Sequence, residues 1–183
     1  MGRTLGRLGE PSTASATAWA ATGAAVRALH EAPLPPLPGR SIDEVASHLA
    51  AECERLVAND VLPADVVTAN RLLAETALRP WTPVFIHGDL QVDHVFVDDE
   101  EVTGIIDWSE GAPGDALYDR ATLTLGHPEH LDDVLVGYGT DVDRDLIAAW
   151  WSLRASATCA GSWSTATDRP RTYPEVAVLR SLL

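Results

Sequence analysis

The spacing of apolar residues predicts helices in the first third of the chain. Ser12 and Thr13 are candidate caps for an alanine-rich helix that ends near Leu29. Four prolines between residues 32 and 40 remove main-chain donors and therefore predict a loop. A new helix is expected after that loop, because the apolar pattern resumes with three- and four-residue steps.

The predicted second helix begins at Ser41, which has capping-box spacing to Glu44. Its apolar positions recur as an amphipathic helix requires, at Ile42, Val45, Leu49, Cys53 and Leu56. Pro63 suits the first turn of a third helix, which ends before Pro80.

From residue 84 the pattern changes to short runs rich in β-branched and aromatic residues, separated by glycine- and acid-rich connections. These runs predict three strands, over residues 84–86, 94–97 and 102–106. The last two are expected to pair as a hairpin around an exposed acidic turn. Beyond Gly114 the pattern is helical again, over residues 117–125, 131–138 and 143–160.

The composition indicates a folded protein, since 46% of its 183 residues are hydrophobic, and it predicts a single domain over residues 1–183. No apolar run reaches the length of a membrane span, and the start lacks the apolar core of a signal peptide, so a cytoplasmic protein is expected. The net charge of −14 argues against nucleic acid and membrane partners and favours a cationic small molecule.

The chemistry of the sequence is concentrated between residues 87 and 108. His-Gly-Asp-Leu-Gln-Val-Asp-His, at 87–94, lies between two predicted strands, and Ile-Ile-Asp-Trp, at 105–108, ends the third. This layout lets Asp89, His94 and Asp107 converge. Phosphoryl transfer needs such a set, because one carboxylate must accept a proton from the attacking hydroxyl while other groups hold divalent cations.

These residues resemble the aminoglycoside phosphotransferase family of kinase-like enzymes, whose pattern is H-G-D-x-x-x-x-N, a hairpin and then I-D-[WF]. Residues 114–119 are similar to the G-D-P-x-x-D segment of that family. The resemblance implies an α+β fold, namely a mostly helical protein-kinase-like C-terminal lobe with a small β-hairpin that carries the catalytic and metal loops. It implies Asp89 as the catalytic base and Asp107 and His94 as metal ligands, with Mg²⁺ and ATP or GTP as cofactors.

The sequence departs from the family pattern in two ways. His94 replaces an asparagine, and its imidazole nitrogen suits softer metals than magnesium, so Mn²⁺ is an alternative. His94 could also donate to a phosphate or hold the loop. The chain has no lysine, although the nucleotide-gripping lobe of the family carries one. We therefore expect that lobe to be absent, and a homodimer or protein partner to cover the face where it would dock.

Three functions remain open at this level. The first is transfer of the terminal phosphate of a nucleotide to a hydroxyl of a small, cationic molecule such as an aminoglycoside. The second is a catalytically inactive or repurposed kinase-like binding module, suggested by the missing lysine and by His94. The third is a metal-dependent phosphohydrolase, which ranks last because neighbouring strand residues point oppositely; its cluster would contain His87, Asp89, Asp93, His94 and Asp107.

Three further residues of this region are predicted to have structural roles. His87 is expected to hydrogen-bond main-chain carbonyls around the loop. Asp115 and Asp119 are expected to brace the loop and to cap the next helix.

Overall fold

The structure, a computed structural model, describes residues 2–163 and 174–183. Its helices are α1 (Ala16–His30), α2 (Ile42–Ala58), α3 (Ala64–Glu75), α4 (Ala116–Thr124), α5 (Leu131–Tyr138), α6 (Arg144–Trp163) and α7 (Pro174–Ser181). Its strands are β1 (Arg3–Thr4), β2 (Val84–Ile86), β3 (Val95–Asp98), β4 (Glu101–Ile105) and β5 (Ala112–Gly114). Short 3-10 helices occupy Trp108–Glu110 and Pro128–His130.

The chain forms two compact units. The first contains Met1–Arg40 and Trp81–Asp143, and the second contains Ser41–Pro80 and Arg144–Leu183. The single domain over residues 1–183 stays a prediction. None of the described helices is both long enough and apolar enough to cross a membrane.

The first unit holds both small sheets. Strands β3 and β4 form the predicted antiparallel hairpin, in which Val95 pairs with Ile105, and β1 adds to the free edge of β3. Strand β2 pairs separately with β5. The sequence pattern did not predict β1 or β5: β1 has only two residues, and β5 contains a proline and a glycine, which strands disfavour.

A continuous apolar core joins the three-stranded sheet to α1 in the first unit. Helix α5 packs closely on α1, since glycines lie at the contact. A Cβ atom at Gly137 would collide with the carbonyl of Ala20, and one at Gly23 would collide with the carbonyl of Val134. This close contact fixes the two helices against each other.

In the second unit, the regular elements of the described residues are all helices. The predicted capping box is confirmed, because Glu44 N–H donates to Ser41 Oγ and the Glu44 carboxylate accepts from Ser41 N–H. A buried polar contact holds three helices together: Asn70 Nδ2 donates to the carbonyl of Leu179 at 2.8 Å, and Ser152 Oγ donates to Asn70 Oδ1 at 3.0 Å.

The start of α1 differs from the prediction. The cap is Ser15, whose Oγ accepts from Ala18 N–H, whereas Ser12 Oγ donates to the carbonyl of Leu5 at 2.7 Å. Ser12 is already engaged in fixing the segment before the helix, so the serine three residues later caps it.

Candidate active site

The first loop of the candidate site follows β2, and we call residues 87–94 the HGD loop. His87 is completely buried. Its Nε2–H donates to the carbonyl of Ile106 at 2.9 Å, and its Nδ1 accepts from Asp89 N–H at 3.3 Å. Both ring nitrogens are therefore used by main-chain groups, which confirms the structural role expected for His87 and leaves it no ligand atom.

A buried carboxylate anchors the main chain of the HGD loop. Asp119, on α4, is completely buried, and it accepts from His87 N–H at 2.7 Å and from Gly88 N–H at 2.9 Å. His30 Nε2 lies 3.1 Å from the same carboxylate. The predicted bracing role of Asp119 is thereby confirmed. The capping role of Asp115 is confirmed as well, because its side chain accepts from Leu117 N–H.

The brace continues into a buried polar network. His30 Nδ1 lies 3.0 Å from the hydroxyl of Tyr138, whose ring lies under the guanidinium of Arg120 at 4.2 Å. Burial lowers the pKa of Arg120 and raises the pKa of Tyr138. Each shift follows from the cost of removing a charged form from water.

The second loop, residues 106–110, follows β4, and we call it the IDW loop. Asp107 has φ 62° and ψ 64°, a left-handed conformation in which Asp is among the better tolerated residues. Ser109 Oγ donates to Asp107 Oδ1 at 3.0 Å, and the indole N–H of Trp108 donates to the carbonyl of Ile105. The Trp108 ring packs against His87, with ring centres 4.6 Å apart.

Glycine and arginine hold the two loops against each other. Gly88 has φ +81°, and a Cβ atom there would collide with the carbonyl of Glu110. Arg40 Nη2 lies 3.1 Å from the Glu110 carboxylate and 3.5 Å from the carbonyl of Gly88. Arg40 thus contacts both loops at the point where they are closest.

Asp89, His94 and Asp107 converge as the sequence predicts. Each offers one potential metal-ligand atom, and these atoms all lie within 4.8 Å of one another. His94 Nε2 lies 3.9 Å from Asp107 Oδ2, and His94 Nδ1 lies 4.0 Å from Asp89 Oδ2. Gln91 Nε2 donates to both carboxylate oxygens of Asp89, at 3.0 and 3.1 Å.

The larger cluster of the phosphohydrolase hypothesis is not assembled. His87 uses both ring nitrogens on the main chain, and Asp93 is exposed rather than part of the convergent group. Only three of the five residues proposed for that cluster come together in the part of the chain that the structure describes.

Sequence reasoning missed four residues that support this site. Gln91 and Ser109 lie within the two motifs, so their nearness to the aspartates could have suggested them. Arg40 and His30 lie 48 and 89 residues from their partners Gly88 and Asp119. No local pattern signals contacts over such separations.

A model of the phosphotransferase enzyme family matches residues 2–155. The chain belongs to this family. This membership confirms the resemblance that the two motifs carry, and the mostly helical structure with its two small sheets agrees with it. No curated protein sequence matches the chain.

Solved structures share the fold at low sequence identity. A choline/ethanolamine kinase family protein from Mesorhizobium loti superposes with a TM-score of 0.71 at 21% identity, over 90% of this chain and 60% of that one. Spectinomycin phosphotransferase, solved with AMP, gives 0.65 at 17%, over 93% and 64%. An aminoglycoside phosphotransferase from Streptomyces rimosus gives 0.59 at 25%, over 77% and 62%. The chain therefore spans about three fifths of the length of these relatives.

Proposed function

We propose that this chain carries the catalytic and metal-binding residues of a phosphotransferase, which moves the terminal phosphate of ATP or GTP to a hydroxyl of a small, cationic molecule. The convergence of Asp89, His94 and Asp107 carries this proposal. It is supported by membership of the phosphotransferase enzyme family. It is supported further by the buried anchoring of the loop that presents Asp89.

The residues present fit a divalent cation. Two carboxylates and one imidazole nitrogen face one another, and divalent cations that assist phosphoryl transfer take such ligands. In the proposed roles, Asp107 and His94 hold the cation, and Mg²⁺ or Mn²⁺ bound there would neutralise charge on the nucleotide phosphates. Ser109 fixes the orientation of the Asp107 carboxylate through its hydrogen bond to Oδ1.

In the proposed mechanism Asp89 is the base. Its carboxylate would orient the acceptor hydroxyl and take up its proton as the phosphate is transferred. Gln91 holds both carboxylate oxygens, while Asp119 anchors the two preceding main-chain amides. A base that is already held in one orientation loses little conformational freedom when it reacts. Catalysis by positioning the reacting groups requires such pre-organisation.

The choice of acceptor rests on charge. The chain carries a net charge of −14, which raises the local concentration of cations. The relatives named above include an aminoglycoside phosphotransferase and a choline/ethanolamine kinase family protein. An amino-bearing alcohol is therefore our proposed acceptor class, with aminoglycosides as its first candidates.

The proposal also assigns the chain, as a single domain over residues 1–183, to the C-terminal lobe of the kinase-like fold. The HGD and IDW loops support this assignment, because in the kinase-like pattern they belong to the lobe that carries the catalytic and metal aspartates. The proposal includes a homodimer or a protein partner that covers the face where the nucleotide-gripping lobe of the family would dock. Sedimentation velocity of the purified chain with nucleotide tests this part, and a monomer would remove the homodimer.

The experiment that tests the function is phosphate transfer by the purified chain. Mg²⁺ with ATP or GTP is offered with streptomycin, spectinomycin and choline, and the product is detected by mass spectrometry. Asp89→Asn keeps the size of the side chain and removes the base, so we expect transfer to fall by about 10²-fold or more. Asp93→Asn is the matched control, since Asp93 is exposed in the same loop.

Two results would contradict the proposal. Undiminished transfer by Asp89→Asn would remove Asp89 as the base. If the wild-type chain transfers no phosphate and calorimetry detects no binding of nucleotide with Mg²⁺, the repurposed binding module replaces the transferase. Circular dichroism of each variant checks that the fold is retained.

A further inference from the structure

We infer that His94 is a nitrogen ligand that makes this metal site select Mn²⁺ over Mg²⁺. The inference rests on the proposed assignment of His94 and Asp107 as metal ligands. It does not depend on whether the chain transfers phosphate or on which molecule accepts it.

The first observation is the hydrogen bond that fixes the His94 ring. His94 Nδ1 lies 2.8 Å from the main-chain carbonyl of Asp89, and a carbonyl oxygen can only accept, so Nδ1 carries the proton of the bond. The lone pair of the neutral ring is therefore on Nε2. Histidines that bind metals characteristically donate their other N–H to a carbonyl or carboxylate, which fixes the tautomer and raises the basicity of the ligating nitrogen.

The second observation is the direction of the lone-pair nitrogen. His94 Nε2 lies 3.9 Å from Asp107 Oδ2. Two atoms that bind one cation at about 2.1 Å lie at most about 4.2 Å apart. The observed separation lies within that limit, between the values of about 3.0 Å for adjacent ligands and about 4.2 Å for opposite ligands of an octahedral cation, so a small movement of the side chains lets both bind one cation. Asp107 Oδ1 accepts from Ser109 Oγ, so Oδ2 is the oxygen directed at the imidazole.

These contacts decide between the roles that the sequence leaves open for His94. The ring does hold the loop, but through Nδ1 alone, so Nε2 remains for a second partner. His94 Nε2 lies near a carboxylate oxygen of Asp107, and the negative charge of that oxygen attracts a cation and repels a phosphate oxygen. Holding the loop and ligating the metal are therefore the two halves of one function of His94.

The chemistry of the ligands gives the selectivity. Mg²⁺ is a hard cation that prefers oxygen and holds strictly to octahedral geometry at short distances. Imidazole nitrogen suits transition metals, and Mn²⁺ is the transition metal that shares the preference of Mg²⁺ for carboxylate oxygens. One nitrogen in an otherwise oxygen-rich site therefore shifts the balance from Mg²⁺ towards Mn²⁺.

Binding of Mn²⁺ to the full chain tests this inference without measuring transfer. The wild-type chain is titrated with Mn²⁺ while electron paramagnetic resonance follows the free ion, and the titration is repeated in competition with Mg²⁺. Pulsed resonance on the bound Mn²⁺ then detects any coordinated ¹⁴N. We expect a ¹⁴N coupling, and we expect Mn²⁺ to bind more tightly than Mg²⁺ in the competition.

His94→Asn is the decisive variant, because its amide can still donate to the Asp89 carbonyl but offers oxygen to the metal. We expect it to lose the ¹⁴N coupling and most of the preference for Mn²⁺. His48→Asn is the matched control: His48 is exposed on α2, and its replacement should change neither. Bound Mn²⁺ without ¹⁴N coupling, or a preference unchanged in His94→Asn, would overturn the inference.

The outcomes separate this inference from the proposed function. A chain that binds ¹⁴N-coupled Mn²⁺ but transfers no phosphate would remove the transferase and leave the metal selectivity in place. A chain that transfers phosphate as well with Mg²⁺ as with Mn²⁺, and that binds Mn²⁺ through oxygen alone, would remove the metal selectivity and leave the transferase in place.

Discussion

Replacing Asp119 by alanine is expected to destabilise the protein more than any change to the three convergent residues. The Asp119 carboxylate is completely buried and accepts from His87 N–H, Gly88 N–H and His30 Nε2. Alanine would leave these donors without an acceptor. Because His87 and Gly88 are themselves buried, water does not readily replace the carboxylate.

The size of the effect follows from those contacts. Each buried N–H group left without a partner costs about 1–3 kcal/mol, so the two main-chain amides together cost about 2–6 kcal/mol. Removing a buried charge recovers some desolvation energy, while the lost contact with His30 adds to the cost. We therefore expect Asp119→Ala to lower the free energy of unfolding by about 3–5 kcal/mol.

Urea denaturation followed by circular dichroism measures this change, with exposed Asp93→Ala as a control in the loop that Asp119 anchors. We expect the control to stay within about 0.5 kcal/mol of the wild type. Asp119→Asn keeps one acceptor oxygen, so its free energy of unfolding should lie between those of Asp119→Ala and Asp93→Ala. This variant tests the reasoning even if the alanine variant does not fold. An alanine variant within about 0.5 kcal/mol of the wild type would refute the reasoning.

Three further predictions concern separate parts of the chain. Gly88→Ala forces a Cβ into a main-chain carbonyl at φ +81° and should cost about 1–3 kcal/mol in urea denaturation, whereas Gly104→Ala, which meets open space, should not destabilise. Burial raises the pKa of Cys159 to about 12, so a disulfide reagent at pH 8 should label it only after unfolding; rapid native labelling would contradict this. Hydrogen bonds from Ser41 lower the pKa of Glu44, so the capping box stabilises the fold above about pH 4.5 and this stabilisation is lost as the pH falls. In Ser41→Ala, the melting temperature should therefore fall less steeply with decreasing pH than it does in the wild type.

The helices and the central hairpin were predictable because their apolar spacing is long enough to show a period. Helix α5 lies at the predicted residues 131–138, whereas β2, at residues 84–86, was predictable from its composition of Val, Phe and Ile rather than from a period. Strand β5 was not predictable, since Ala112-Pro113-Gly114 has a composition that strands disfavour. It forms because β2 offers it an antiparallel partner, and such a partner is decided by tertiary structure.

The candidate site was predictable to the extent that its residues lie in two short motifs. Asp89, His94 and Asp107 all belong to those motifs: the β3–β4 hairpin brings His94 and Asp107 together, and the loop that contains His94 also presents Asp89. The residues that hold the loops, Arg40 and His30, were not predictable, because they come from a proline-rich segment and from the end of α1. Their position depends on how the whole unit packs.

The arrangement separates two tasks between different groups of atoms. The loops are held by their main chain: the amides of His87 and Gly88 donate to Asp119, and the carbonyl of Ile106 accepts from the His87 ring. Of the convergent side chains, His94 adds to this framework through its hydrogen bond to the carbonyl of Asp89, whereas the Asp107 side chain is 52% exposed. The main chain of Asp107 is left-handed, and uncommon main-chain conformations of this kind cluster at functional sites. If His94 and Asp107 have the proposed metal-ligand roles, the framework that holds the loops is made largely of other atoms, namely the main-chain amides of His87 and Gly88 and the buried carboxylate of Asp119.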